Sequence, residues 1–357
     1  MVLGAPRSLE RRQFPLPDIK DDDALLRVEA CGLCGTDHEQ YSGELFGGFA
    51  FIPGHESVGI IESIGERAAQ RWGVAAGDRV AVEVFQSCRR CERCTNGDYR
   101  HCRLHGIGDS YGFIPTDRAP GLWGGYAQYQ YLGPDSMLLK VPESLDAITA
   151  TLFNPLGAGI RWGAQIPGTG PGDVVAVLGP GIRGLCSVVA ARQAGADFVL
   201  VTGAGPRDRS RLETARAFGA DLVVDVTRDE PARELTRAVG RGADVVVDVT
   251  AKAPDALNQA VRLVRPEGTI VVAGIRGSPI TSGFSADLVV YKEIRIVGAL
   301  GVDVTAYQCA LELLASTSLP FTTIDRRIVG FDDLGSVLDS MSKGGLDTPM
   351  HAVVVPD

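Results

Sequence analysis

Residues 174–195 read VVAVLGPGIRGLCSVVAARQAG, an apolar strand pattern that runs through a glycine-rich turn into a helical pattern. Residues 179–184 have the spacing GxGxxG. Its first glycine permits a tight turn, its second lets a dinucleotide's pyrophosphate approach the backbone, and its third lets the helix pack on the strand. The strand–turn–helix setting favours dinucleotide binding over a mere tight turn. The predicted coenzyme-binding residues of this turn are Gly179, Gly181, Ile182, Arg183 and Gly184.

The sequence downstream continues to alternate between strand and helix. It contains the apolar runs FVLVTG, DVVVDVT and TIVVAG, separated by the helical patterns RLETARAFGAD and ALNQAVRLVR. Near-continuous valine and isoleucine runs are typical of strands buried on both faces of a parallel sheet. We therefore predict an α/β fold in which residues 154–298 form a doubly wound parallel sheet.

The end of the second strand of this sheet bears on the choice of coenzyme. An acidic residue about 20 positions after the glycines normally binds the ribose hydroxyls of NAD. Here Thr202 and Gly203 end the strand, and Arg207, Arg209 and Arg211 follow. This pattern favours NADP over NAD, with Thr202, Gly203, Arg207 and Arg209 as further coenzyme-binding residues. The alternative is that the arginines are only solvent-exposed residues at the start of a helix. Asp208, which lies between them, partly offsets their charge.

Four cysteines form one compact group. Cys88, Cys91 and Cys94 are spaced three apart, and Cys102 follows after seven residues. Four thiolates close a tetrahedral shell around Zn²⁺ and leave no open position, so this pattern predicts a structural zinc site. The alternative is a disulfide pair, which a reducing compartment disfavours.

A second group of ligand-type residues is dispersed along the chain. Cys34 and Asp37 lie in CGLCGTDHE, and His55 and Glu56 lie in IPGHESVG. Thiolate, imidazole and carboxylate together suit a zinc ion that keeps an open coordination position. Each fragment alone could instead be a buried cysteine or a core histidine.

Bulk composition narrows the class of protein. A length of 357 residues predicts two domains at roughly 150 residues each, and 45% apolar with 22% charged residues is ordinary for a globular protein. The net charge of −9 argues against nucleic-acid binding. The sequence contains no apolar run of about 18 residues, and its N-terminus lacks the pattern of a signal peptide. We expect a protein that binds no membrane, in the reducing cytoplasm.

The first part of the chain has a different character from residues 154–298. The segments Ala24–Cys31, Ser57–Ile64 and Asp78–Val84 are rich in strand-forming residues and are separated by glycine, proline and aspartate. Residues 299–357 contain the helical pattern ALELLAS and end in the strand-like HAVVVPD. We expect residues 1–153 to form an irregular β domain that residues 299–357 rejoin.

The motifs of this chain and the order in which they occur resemble those of the zinc-containing medium-chain dehydrogenases. This family includes alcohol, sorbitol, threonine and glucose dehydrogenases. The similarity covers nearly the whole chain and rests on CGLCGTD, IPGHESVGIIESIG, GDRVAVE, the four cysteines, GPGIRG, DVVVDVT and GTIVVAGI. It implies a GroES-like catalytic domain (1–153, with 299–357), a Rossmann domain (154–298) and a catalytic zinc in the cleft between them.

The resemblance also implies roles for individual residues. Cys34 and His55 would bind the catalytic zinc, and Glu56 would be an adjacent or exchanging ligand. Asp37 would orient His55, and Thr36 would accept the substrate proton. Relatives are commonly dimers or tetramers, so a homodimer or homotetramer is expected.

The sequence departs from many relatives in two places. Where many relatives carry a relay histidine, this chain has Glu39, with His38 one place earlier, so the proton could leave through either residue or through the coenzyme ribose. Where relatives carry a third protein ligand, this chain has Asn154 in LFNPLG. Because neutral amides are weak zinc ligands, we predict that Glu56 binds zinc directly in at least one state, with Asn154 completing the shell loosely or holding substrate or water.

The combined motifs predict a zinc-dependent dehydrogenase for a secondary alcohol, polyol or sugar, or the corresponding ketone. The nicotinamide would dock along Val249–Thr250 and Gly274–Ile275. Substrate-contacting side chains are expected near Ser42–Phe51, Tyr111–Trp123 and Leu300, although the aromatic residues there could equally pack the core. The alternatives are a non-catalytic NADPH- and zinc-binding scaffold, which need not keep Cys34 and His55, and a zinc hydrolase, which would leave the dinucleotide motif without a use.

Overall fold

The computed structural model describes residues 1–45, 50–251, 253–275, 283–316, 319–345 and 348–357, and it divides into two compact units. The first unit contains Met1–Asn154, Asp303–Thr317 and Asp325–Asp357, and the second contains Pro155–Val302 and Ser318–Ile324. The described part of the chain has no helix that is both long and apolar enough to cross a lipid bilayer.

Strands occur in both units of the described chain. They are β1 (Val2–Ala5), β2 (Ser8–Glu10), β3 (Ala24–Leu33), β4 (Glu56–Ile64), β5 (Arg79–Val82), β6 (Tyr129–Leu132), β7 (Leu138–Lys140), β8 (Val174–Leu178), β9 (Phe198–Gly203), β10 (Leu222–Asp225), β11 (Ala243–Asp248), β12 (Val264–Val272), β13 (Arg295–Gly298), β14 (Arg326–Val329) and β15 (His351–Val354).

The helices follow the same chain order. They are α1 (Gly35–Ser42), α2 (Glu66–Trp72), α3 (Glu92–Thr95), α4 (Ala147–Ala150), α5 (Phe153–Ile160), α6 (Ile182–Gln193), α7 (Gly205–Ala217), α8 (Pro231–Val239), α9 (Ala256–Leu263), α10 (Ala286–Lys292), α11 (Val304–Ser316) and α12 (Phe331–Lys343).

The first unit is built on a seven-stranded sheet in the order β14-β15-β3-β4-β5-β7, with β6 also paired to β3. Strand β3 is central and almost wholly buried, which fits its apolar sequence ALLRVEACGL. The C-terminal strand β15 pairs antiparallel with the end of β3, so that Ala352 lies opposite Leu33. This pairing brings the last residues of the chain beside the segment that begins α1.

The second unit is a six-stranded, entirely parallel sheet in the order β10-β9-β8-β11-β12-β13. All five residues of β8 are buried, as expected for a strand covered on both faces. The strand order reverses between β8 and β11, and open parallel sheets bind ligands at the carboxyl ends of the strands beside such a reversal. The predicted α/β class with a doubly wound parallel sheet is confirmed.

Candidate active site

The glycine-rich turn has the geometry that a dinucleotide loop requires. Gly179 adopts a φ of 105°, a conformation that side-chain-bearing residues rarely take. A Cβ on Gly184 would lie 1.9 Å from the carbonyl oxygen of Gly179, whereas a Cβ on Gly181 would meet nothing within 4 Å. The third glycine therefore packs the helix onto the turn, and the second leaves its backbone open to an approaching phosphate.

The other predicted coenzyme residues lie along one edge of the parallel sheet. Ile182 and Arg183 begin α6, and the Arg183 guanidinium carbon lies 5.3 Å from the ring centroid of Trp162. Thr202 and Gly203 end β9. Val249 follows β11, and Gly274 and Ile275 follow β12. These positions therefore share the carboxyl ends of four neighbouring strands.

The basic residues after β9 surround one buried carboxylate. Asp208 accepts a hydrogen bond from the Ala204 backbone amide at 2.9 Å. The Arg207 side chain lies 3.4 Å from the same carboxylate and Arg211 lies 3.9 Å from it, while Arg207 and Arg209 are both exposed. Asp208 is thus occupied at the start of α7, where Arg207 and Arg209 are exposed.

Three ligand-type side chains of the first unit converge in a buried cluster. One ligand atom each from Cys34, His55 and Glu56 lies within 4.8 Å of the others. The Cys34 Sγ lies 3.2 Å from the His55 Nε2, close to the roughly 3.5 Å that separates neighbouring sulfur and nitrogen ligands around one zinc ion. A thiolate, an imidazole and a carboxylate form a donor set that suits zinc.

The local fold explains how these side chains meet. Cys34 caps the N-terminus of α1, and its backbone amide donates to Oδ2 of Asp37 at 2.8 Å. Gly32 lies opposite Glu56 across the β3–β4 pair, and a Cβ on Gly32 would fall 2.3 Å from Oε2 of Glu56. The absence of a side chain at position 32 therefore makes the space in which the Glu56 carboxylate lies beside β3.

The remaining predicted residues of this region are placed around the cluster. Oδ1 of Asp37 lies 3.6 Å from Nδ1 of His55, on the ring edge opposite Cys34. The Thr36 backbone amide donates to the Cys34 Sγ at 3.3 Å. Thr36, His38 and Glu39 are half-buried on α1.

Asn154 is buried at the start of α5. Its Nδ2 donates to the hydroxyl oxygen of Tyr307 on α11 at 2.8 Å. The Tyr307 ring packs edge-on against Phe153 with 4.9 Å between centroids. One face of the Asn154 amide is therefore fixed by a residue distant in sequence.

The four cysteines form a second group whose ligand atoms lie within 4.8 Å of one another. The Cys88 and Cys94 sulfurs are 3.8 Å apart, which matches the edge of a ZnS₄ tetrahedron with bonds of about 2.3 Å. Backbone amides of Arg103 and Cys94 lower the pKa of the Cys91 thiol to about 6 and so favour the thiolate. This donor set fits a closed, structural zinc site.

A buried acidic group beside the four cysteines is absent from the sequence-based prediction. Burial raises the pKa of Glu83 to about 8, and its Oε2 accepts a hydrogen bond from the Tyr99 hydroxyl at 2.9 Å. The same Tyr99 oxygen accepts from the Val304 amide at 2.6 Å. The four-cysteine segment is thereby joined to the first turn of α11.

The substrate region predicted from the sequence is only partly described by the structure. Residues 46–49 of Ser42–Phe51 lie outside the described residues. Within Tyr111–Trp123, Tyr111, Ile114 and Trp123 pack in a hydrophobic core cluster, whereas the Phe113 ring lies 6.0 Å from the His55 ring. Most aromatic residues of this stretch thus form core, and Phe113 borders the metal-type cluster.

Comparison with known proteins finds two matching family models. Residues 20–143 match the alcohol dehydrogenase GroES-like domain, and residues 184–316 match the zinc-binding dehydrogenase domain. A "probable alcohol dehydrogenase" of Mycobacterium tuberculosis is 64% identical over all of this chain and 98% of its own length. A sorbitol dehydrogenase of Bacillus subtilis is 33% identical over 88% of this chain and 85% of its own.

The fold is also similar to solved structures. A "putative zinc-binding dehydrogenase" from Sinorhizobium meliloti, solved bound to NADP, superposes with a TM-score of 0.83 and 26% identity. The superposition covers 100% of this chain and 99% of that one.

Proposed function

The chain belongs to the zinc-containing medium-chain alcohol dehydrogenase family, and from this premise we propose that it transfers hydride between a secondary carbinol and NADP. The carbinol would belong to a secondary alcohol, a polyol or a sugar, and the reverse reaction would start from the ketone. The observation that carries the proposal is the convergence of Cys34, His55 and Glu56 in one buried cluster. A non-catalytic scaffold would have no need of that convergence.

Each residue of the cluster and its surroundings would have a separate role in the transfer of hydride from an alcohol. A zinc ion supplies, when bound, the Lewis acidity that lowers the pKa of an alcohol hydroxyl in contact with it. Cys34 and His55 would hold the ion, and Asp37 would keep the His55 ring turned with Nε2 toward it. The Thr36 hydroxyl would take the proton of the substrate hydroxyl and pass it outward through Glu39, His38 or the coenzyme ribose.

We assign Glu56 rather than Asn154 as the third ligand. A Cys34 thiolate and a neutral His55 leave one net positive charge on a zinc site, and the Glu56 carboxylate brings it to zero. The space beside Gly32 admits that carboxylate, whereas the neutral amide oxygen of Asn154 is a weak zinc ligand. Asn154 would then hold substrate or water.

The choice of NADP is supported by the end of β9 and the start of α7. Thr202 and Gly203 carry no carboxylate that would repel a 2′-phosphate, and Arg207 and Arg209 are exposed beside them. Asp208 is held by the Ala204 amide and by the neighbouring Arg207, so its charge is already engaged at the start of α7. The related Sinorhizobium protein was solved with NADP.

A panel of 2-alkanols, alditols and aldoses, each tested with NADP⁺ and NAD⁺, tests this function. We expect reduced nicotinamide to form with at least one class, with kcat/KM at least about tenfold higher for NADP⁺. That ratio corresponds to about 1.4 kcal/mol, less than one charge-assisted hydrogen bond to a phosphate contributes. Tight NADPH binding without turnover on any substrate would instead support the scaffold, and ester hydrolysis without NADPH binding would support the hydrolase.

We also propose that the chain forms homo-oligomers, at least dimers, through the edge of the second unit. Strand β13 ends the parallel sheet, and edge strands pair readily with other chains. Exposed apolar side chains lie on β13 and on the preceding helix α10: Ile296 is 39%, Val290 72% and Tyr291 80% exposed. Light scattering should give at least twice the 37.8 kDa chain mass, and Ile296→Asp should shift it toward the monomer. A wild-type monomer would contradict the proposal.

The grouping of cysteines supports a reducing, cytoplasmic location. Seven of the eight cysteines are buried or half-buried, and none forms a disulfide in the structure.

A further inference from the structure

Asp248 is a fully buried residue at the carboxyl end of β11, beside the reversal of strand order. Its Oδ1 accepts two hydrogen bonds from Thr250, one from the backbone amide at 3.0 Å and one from the side-chain hydroxyl at 2.6 Å. A buried carboxylate needs such donors, because burying a charge without hydrogen bonds is costly. Asp248 therefore fixes both the backbone and the side chain of Thr250.

The backbone carbonyl of Asp248 holds the segment that follows the neighbouring strand, β12. It accepts hydrogen bonds from the amides of Ala273 at 3.0 Å and Gly274 at 3.1 Å. A Cβ on Gly274 would lie 2.0 Å from the carbonyl oxygen of Thr250, so only glycine allows the two segments to approach this closely. Asp248 thus joins the two segments that are predicted to receive the nicotinamide.

Thr250 also packs against the glycine-rich turn. A Cβ on Gly179 would lie 3.2 Å from the Thr250 Cγ2 and 3.6 Å from the Val249 Cγ2. The Val249 amide donates to the Leu178 carbonyl at 3.2 Å, next to that glycine. The Thr250 side chain, whose hydroxyl is bound by Asp248, therefore has its methyl group close to the first glycine of the turn.

We propose that Asp248 is a positioning residue for the coenzyme, which holds the pyrophosphate turn and the nicotinamide segments in one arrangement through Thr250. Because Asp248 is 0% exposed, it acts through Thr250 rather than by contact with the coenzyme. A binding surface that is already arranged in the free protein loses less entropy on binding. The proposal rests on the proposed function, since it assumes a nicotinamide dinucleotide at this edge of the sheet.

The variant Asp248→Val removes the acceptor and leaves a side chain that suits the apolar strand β11. We expect it to bind NADPH about tenfold more weakly, which is about 1.4 kcal/mol and of the order of one hydrogen bond to a charged group. Adenosine 2′-phosphate carries neither the pyrophosphate nor the nicotinamide, so its affinity should not change. Isothermal titration of each ligand into the same preparation measures both affinities.

Two further variants control for a general loss of structure. Asp244→Val makes the same substitution near the opposite end of β11, where the carboxylate accepts from the Val174 amide at 2.7 Å and pairs with Arg265. It should lower the thermal midpoint and leave the NADPH affinity as it is. Asp248→Asn keeps an acceptor for Thr250 and should retain most of the wild-type NADPH affinity.

A double-mutant cycle tests whether the effect passes through Thr250. Thr250→Val removes the hydroxyl that Asp248 binds, so adding it to Asp248→Val should weaken NADPH binding less than about twofold further. Unchanged NADPH affinity in Asp248→Val, an equal loss for both ligands, or full additivity with Thr250→Val would overturn the proposal. If Asp248→Val does not fold, Thr250→Val takes its place in the comparison of the two ligands.

Failure of the proposed function would look different from failure of this inference. A wild-type protein that bound neither NADPH nor NADH would overturn both together. A wild-type protein that bound NADPH no more tightly than Asp248→Val does would overturn the positioning role alone.

Discussion

Replacing Cys34 with serine is expected to lower kcat/KM for alcohol oxidation by about a thousandfold or more. Serine is a poor zinc ligand, and in the cluster it would leave only His55 and Glu56. Losing the stabilisation of a developing alkoxide costs several kcal/mol, and about 4 kcal/mol corresponds to about a thousandfold in rate. Steady-state kinetics on the best substrate of the panel, with zinc analysis of the same samples, measures both effects.

The matched control is Cys309→Ser, because Cys309 is exposed on α11 and belongs to neither metal-type group. It should keep wild-type kinetics and zinc content. NADPH affinity should also survive in Cys34→Ser, since the predicted coenzyme residues belong to the other unit. A Cys34→Ser enzyme with one zinc fewer and unimpaired kinetics would contradict the assignment of this cluster to catalysis.

Replacing Cys102 with serine is expected to remove one zinc per chain and to lower the thermal midpoint by roughly 10 °C. Structural zinc sites contribute folding free energy outright. A loss of about 4 kcal/mol corresponds to roughly 8–16 °C in a domain of about 150–250 residues. The loss of stability should extend beyond the four-cysteine segment, because Tyr99 links that segment to Glu83 and to the amide of Val304. Calorimetry and zinc analysis measure the two quantities.

The catalytic cluster supplies the internal control for this variant. Cys34, His55 and Glu56 share no ligand with the four-cysteine group, so Cys102→Ser assayed well below its midpoint should retain zinc there and at least about a tenth of the turnover. A Cys102→Ser protein with the wild-type zinc content and midpoint would show that the four cysteines hold no structural ion.

The sequence predicts best what is local along the chain. The turn at 179–184 follows from the roles of three glycines within six residues, and the four-cysteine group follows from spacing alone. Strand β8 was recognisable because burial on both faces requires a continuous apolar run. Strand ends were less exact: β3 extends to Leu33, beyond the predicted Cys31, and β5 covers only Arg79–Val82 of the predicted Asp78–Val84. Such ends depend on pairing with neighbours.

What the sequence could not show depends on contacts between distant segments. The partner of Asn154 is Tyr307, 153 positions away. Tyr126 is one of several aromatic residues in one stretch, and only its packing against Gly54 places it beside the metal ligands. Glu83 belongs to the motif GDRVAVE, which the sequence shows, but its burial and its hydrogen bond to Tyr99 depend on the fold. Side-chain chemistry of this kind becomes visible only when strands and loops are brought together.

The central claim is that alcohol oxidation depends on a metal held by Cys34, His55 and Glu56. The most direct measurement is turnover with NADP⁺ before and after a chelator removes the more weakly held zinc, followed by titration of Zn²⁺ back into the same sample. We predict that activity falls to background when zinc drops from two ions to one per chain and returns in proportion to the second ion bound. Full turnover in the protein that retains only one zinc would contradict the claim.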